Sequence, residues 1–132
     1  MLSYRILIAI AGLAAVPSAM VKAQATPNAQ QGKSVFVQCM ACHSLEAGKN
    51  GLGPTLHGLM GRKAGTVTGF SYSPAMKKAN ITWNEDTLKN FLSNPQKAVP
   101  GNKMMTAGMS NQTQLDNLIA YLQQATKRTS HA

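Results

Sequence analysis

A small all-α domain is the fold this sequence predicts, and three observations predict it. No stretch alternates apolar and polar residues as a half-buried strand would. Near the C-terminus, Leu115, Leu118, Ile119 and Leu122 recur at i, i+3, i+4 and i+7, so one face of a helix is apolar. The glycine- and proline-rich stretch over residues 48–69 reads as a long loop region, too long to close on itself without a body in the middle. With 132 residues in all, one domain is the natural division, near the small end where a bound cofactor adds apolar surface to bury.

Taken in order, the chain opens on a segment with the marks of a secretory signal. Arg5 supplies positive charge, and residues 6–16 are small and apolar. Pro17 and Ser18 break the run, and Ala23 and Ala25 offer small residues at cleavage spacing. The run is shorter than the roughly 20 residues a bilayer span needs, so cleavage after Ala23 or Ala25 is expected over an uncleaved anchor reaching to Val21. The predicted divisions are a signal over 1–23, a polar lead-in over 24–31, the domain over 32–127 and a tail over 128–132. A helix is expected over 30–38, running into Cys39. Ser73-Pro74 predicts a short helix, serine as N-cap and proline at the first position, with Asn80 as its end. Asn84 opens another, with Glu85 and Asp86 in the first turn; Pro95 stops it at Asn94. The last helix is expected over 111–126, with Lys127 and Arg128 at the end where positive charge suits the dipole.

The net charge is +9. After residue 24, eleven lysines and arginines face Glu46, Glu85, Asp86 and Asp116, leaving +7, scattered and not blocked. Such a field favours encounter with an acidic protein surface. No nucleic-acid-binding pattern accompanies it, so nucleic acid is not an expected partner.

Two cysteines in an exported chain first suggest a disulfide, but Cys39 and Cys42 would close a tiny loop that restrains little of the unfolded chain. Residues 39–43 instead read Cys-Met-Ala-Cys-His. Two thiols three positions apart can form thioethers with the two vinyl groups of one haem, and His43 then presents an imidazole nitrogen to the iron; this is the attachment pattern of haem c. A thioredoxin-like pair uses the same spacing but needs a βαβ setting that this chain lacks. A zinc site needs four ligands, and only His57 and His131 remain as further histidines.

The second axial position calls for a soft ligand if the group is to carry electrons, because a thioether favours reduced iron and raises the potential. Met104 follows Pro100-Gly101-Asn102-Lys103, an irregular strap. The chain has eight methionines, and methionine is commonly core filler, so Met105 and Met109 compete with Met104.

Residues 53–63 (GPTLHGLMGRK) resemble class I cytochromes c, as do residues 69–73 (GFSYS), 81–88 (ITWNEDTL), Asn94-Pro95 and 118–122 (LIAYL). The resemblance spans residues 32–126, its motifs in family order. It implies a single-domain class I cytochrome c fold of helices and long loops around one haem c. Cys39 and Cys42 would be the thioether anchors, His43 the proximal ligand and Met104 the distal one, with Met105 packed elsewhere. Pro54 would offer its carbonyl to the other imidazole nitrogen. Arg62, Tyr72 and Trp83 match positions around the haem propionates. Four residues depart from the usual pattern: Phe91 for a tyrosine near the distal sulfur, Met76 for an asparagine, Thr106 for a phenylalanine at the haem edge, and Asn102 for a threonine that helps hold a propionate.

The function so implied is one-electron transfer by a monomer in the bacterial periplasm, without stable membrane insertion. Its partners would be acidic docking surfaces of redox proteins such as a cytochrome bc complex or a terminal oxidase. Lys33, Lys49, Lys97 and Lys103 are candidates for the docking face. An exchangeable sixth ligand would instead suit a peroxidase or a small-ligand binder.

Overall fold

The computed structural model describes residues 8–23 and 25–128. Arg5, Gln24 at the expected cleavage region and the tail over 129–132 lie outside the described residues. Residues 8–23 form no helix, and their apolar side chains are exposed, Leu13 being 99% accessible. Among the described residues no helix is long and apolar enough to cross a membrane.

The helices are α1 (Ala29–Phe36), α2 (Pro74–Lys78), α3 (Glu85–Ser93), α4 (Pro95–Ala98) and α5 (Gln112–Ala125), and a 3₁₀ turn over Val37–Cys39 continues α1 into the first cysteine. The all-α expectation holds. Among the described residues the only ladder is an isolated bridge between Lys63 and Thr82.

Each helix begins at a side chain that satisfies orphan amides. Asn28 Oδ1 accepts from the Gln30 and Gln31 amides, which starts α1 inside the segment read as lead-in. The tighter 3₁₀ geometry then replaces the α-helix expected as far as residue 38. Ser73 caps α2 as expected, and Asn80, with φ +51°, reverses the chain just beyond it. Asn84 and Thr87 form a reciprocal capping box on α3. Pro95 ends α3 but also begins α4: Asn94 turns extended and accepts from the Lys97 amide, so the proline occupies a first helical position. The sequence reading had no place for α4, because four residues carry no detectable periodicity.

α1 crosses α5 at Gly32. A β-carbon there would overlap the carbonyl of Asn117, so only glycine permits this approach. Buried Asn117 ties the crossing together, accepting from the Asn28 amide at 2.6 Å and donating to Gln31 Oε1 at 2.9 Å. Phe36 packs against Tyr121 in a tilted pair with ring centroids 5.3 Å apart. Leu115, Leu118, Ile119 and Leu122, the predicted apolar face, are all buried. Each such side chain contributes about 1.5–3 kcal/mol relative to exposure. α3 packs on α5 through Leu88 and Phe91, and Phe91 meets Trp83 edge-on at 5.2 Å. The Gly58 amide donates to the Thr126 carbonyl at 2.7 Å, fastening the glycine-rich loop to the end of α5.

Candidate functional site

The two cysteines and His43 sit on one turn. The amides of Cys42 and His43 both donate to the Cys39 carbonyl, at 3.2 and 3.0 Å. Both thiols are free and half-buried. Burial pushes the Cys39 thiol above its ordinary value, and neighbouring Cys42 adds in the same direction.

The loop after His43 doubles back over the imidazole. Gly53 donates to the Cys42 carbonyl at 2.8 Å and Leu56 to the Ser44 carbonyl at 2.8 Å. Buried Thr55 donates to the Glu46 carbonyl at 2.6 Å, and Asn50 Oδ1 accepts from the Thr55 amide at 2.9 Å. The result places Pro54 O 2.7 Å from His43 Nδ1. A carbonyl can only accept, so Nδ1 is the donor, and in the neutral ring Nε2 then carries the free lone pair. This is the tautomer a metal-bound histidine uses, with the second nitrogen held by a carbonyl. Gly53 completes the seat, since a β-carbon there would press on three atoms of the ring.

The strap over residues 100–106 separates the candidate methionines. Met104 is half-buried against the core, and its amide donates to Asn102 Oδ1 at 2.8 Å. Met105 is 98% exposed, so the expectation that it packs elsewhere in the protein is corrected: it lies in solvent. Adjacent residues on an extended strap point in opposite directions, which sends one inward and the other out. Met109 also packs on the core, its amide bound to the Leu92 carbonyl at 2.8 Å.

The residues expected near the propionates are spread between the long loop and the start of α3. Arg62 is half-buried and donates through Nη1 to the His57 carbonyl at 2.8 Å. Burial lowers its pKa from the ordinary guanidinium value; Tyr72 offsets part of this, while Arg128 adds to it. The Tyr72 hydroxyl accepts from the Val67 amide at 3.2 Å, and Trp83 is buried. Of the four departures, Phe91 and Asn102 are buried, Met76 half-buried and Thr106 exposed. Three contributions escaped the sequence reading: the Gly53 seat, the Asn50–Thr55 brace and the full engagement of Asn102. The adjacent Gly53-Pro54 pair was the only local signal for the first.

The donor set fits haem c. It comprises two free thiols three positions apart, an imidazole with Nε2 available, and the half-buried thioether of Met104.

Comparison with known proteins agrees with this chemistry. The family model described as cytochrome c matches residues 29–126. The chain is 52% identical over 87 residues to cytochrome c2 iso-2 of Magnetospirillum fulvum, covering 66% of this chain and 91% of that protein. It is 43% identical over 110 residues to cytochrome c2 of Blastochloris viridis, covering 83% and 87% respectively. The solved structure of cytochrome cH from Methylobacterium extorquens superposes with a TM-score of 0.69 at 45% identity, over 73% of this chain and 97% of that one.

Proposed function

The chain belongs to the cytochrome c family, an electron-transfer protein with one covalently bound haem c and not an enzyme, and on that premise we propose how its residues hold the group and where it works. Cys39 and Cys42 are the thioether anchors, His43 is the proximal ligand and Met104 the distal one. The observation that carries the assignment is the 2.7 Å contact between His43 Nδ1 and Pro54 O, which leaves Nε2 as the free donor on the same turn as both thiols.

When bound, the group supplies a reversible one-electron couple between ferrous and ferric iron. The rest follows from the chain. The Pro54 carbonyl holds the imidazole in one tautomer and one orientation and strengthens it as a donor. The Met104 thioether, a soft ligand, favours the reduced state and raises the potential. With His43 and Met104 both serving as its ligands, the iron would have no open position for a peroxide or gas. Arg62, Tyr72 and Trp83 are the donors for the propionates, which need partners wherever they are buried.

Exposed Lys33, Lys97 and Lys103 contribute to a basic docking face for acidic surfaces such as those of a cytochrome bc complex or terminal oxidase. Lys49 contributes less than the sequence suggested, because it pairs with Glu46 at 3.2 Å. The protein works as a monomer in the bacterial periplasm, exported by the segment over 1–23 and cleaved after Ala23 or Ala25, with the carrier domain over 32–127.

The test is double substitution of Cys39 and Cys42 by alanine. The expected product holds no haem through denaturing electrophoresis. Haem that stays with the denatured variant would refute the anchors.

A further inference from the structure

We propose that Asn102 and Gln96 form a clamp that positions the Met104 thioether, a role that rests on Met104 being the distal ligand. Asn102 is only 7% exposed. Its Nδ2 donates to the carbonyls of Pro95 at 2.8 Å and Val99 at 2.9 Å, while Oδ1 accepts from the Met104 amide at 2.8 Å. The partners fix the amide's orientation. Two carbonyls can only accept and a backbone N–H can only donate, so a flipped amide would set like against like at all these contacts. From the solvent side, Gln96 Nε2 donates to the Asn102 carbonyl at 3.0 Å and Gln96 Oε1 accepts from the Gly101 amide at 3.3 Å. Gly101, at φ +88°, makes the reversal between them.

Both side chains thus tie the strap to α4. Met104 is reached through its own amide, next to the carbon that bears the thioether chain. A threonine at residue 102 would have one hydroxyl and could not make these bonds together. Conversely, Asn102 has spent both N–H groups on backbone carbonyls and has none for a propionate. A ligating thioether would withdraw from iron together with its strap, and the clamp opposes that swing.

The test uses the intact ferric protein with cyanide as probe, which binds only after Met104 has left. Gln96 is exposed, so Gln96→Ala folds normally, and cyanide binding is expected to accelerate about fivefold, the value of roughly one net hydrogen bond. Asn102→Ala is expected to accelerate it about a hundredfold and to weaken the absorption near about 700 nm that reports thioether ligation. Asn102→Thr, which returns one hydroxyl, falls between them. Met105→Ala, altered only in solvent, matches the wild type. Rates within about twofold of wild type in both Gln96→Ala and Asn102→Ala overturn the clamp, even where Asn102→Ala melts earlier, because the bonds would then serve stability alone. Absence of the absorption in the wild type would refute the ligand assignment itself, and the clamp with it.

Discussion

Replacing Gly53 by alanine tests whether the backbone seats the His43 imidazole. Gly53 is buried, and an added β-carbon would lie 2.8 Å from Nδ1 and 2.9 Å from Nε2 of His43, with Cε1 closer still. Favourable contacts of this kind begin near about 3.5 Å, so the ring must retreat by more than half an ångström. Cys42 ties it on one side, and the Pro54 carbonyl, at 2.7 Å from Nδ1, holds it on the other. Overpacking of this sort costs about 1–3 kcal/mol, and loss of the bond to Pro54 adds about 1 kcal/mol. A total of about 2–4 kcal/mol corresponds to a fall in Tm of about 10–20 °C for a domain of about 100 residues. The assay is thermal unfolding of the haem-loaded protein, followed by circular dichroism and by the Soret band. Gly51→Ala is the control: its β-carbon meets only the Cys42 carbonyl, at 3.0 Å on an exposed turn, and is expected to cost under about 1 kcal/mol. A Gly53→Ala protein that melts with the wild type would refute the seat.

Gly32→Ala separates packing from propensity. In an ordinary helix the change stabilises by about 1 kcal/mol, but here the β-carbon overlaps the Asn117 backbone, so destabilisation by about 3 kcal/mol or more is expected in denaturant titration. A more stable variant would mean that α1 and α5 do not approach so closely. Lys89 bridges Glu85 and Asp116, both at 3.0 Å. Its hydrogen bond lowers each carboxylate from its ordinary value of 4.5 or 3.8. Carboxylates lowered in the folded state stabilise it above their unfolded values, and that contribution disappears as pH falls through the lowered ones. Lys89→Met should therefore cost under about 1 kcal/mol at pH 7 for this half-exposed surface cluster, and should flatten the loss of stability on acidification below about pH 4.5. An unchanged acid profile would show that the bridge contributes nothing in solution.

The parts of the fold visible in the sequence were those whose signal is local. Ser73, Asn84 and Asn111 announce their helices because capping is chemistry between a side chain and amides two or three residues away. The apolar face of α5 shows because its period repeats over several turns. α4 did not show, since four residues are too few to carry a period, although Asn94 caps it as locally as Ser73 caps α2. At the site, the Cys-x-x-Cys-His run is contiguous and therefore legible, and Pro54 could be placed through family resemblance. Asn102 was visible only as a missing threonine; its three bonds join residues spread from Pro95 to Met104. The opposite fates of Met104 and Met105 depend on which way the strap faces, and composition says nothing of that.

The absorption spectrum of the oxidised, haem-loaded protein near 700 nm, compared between Met104→Ala and Met105→Ala, tests the electron-carrier site most directly. The expected result is loss of the weak band at about 700 nm in Met104→Ala, with a lowered potential, because the soft ligand that favours reduced iron is gone. Met105, 98% exposed, is expected to leave band, potential and stability as they are when replaced. A band that survives Met104→Ala and disappears with Met105→Ala would contradict the account, and survival in both would transfer the ligand to Met109 or another group.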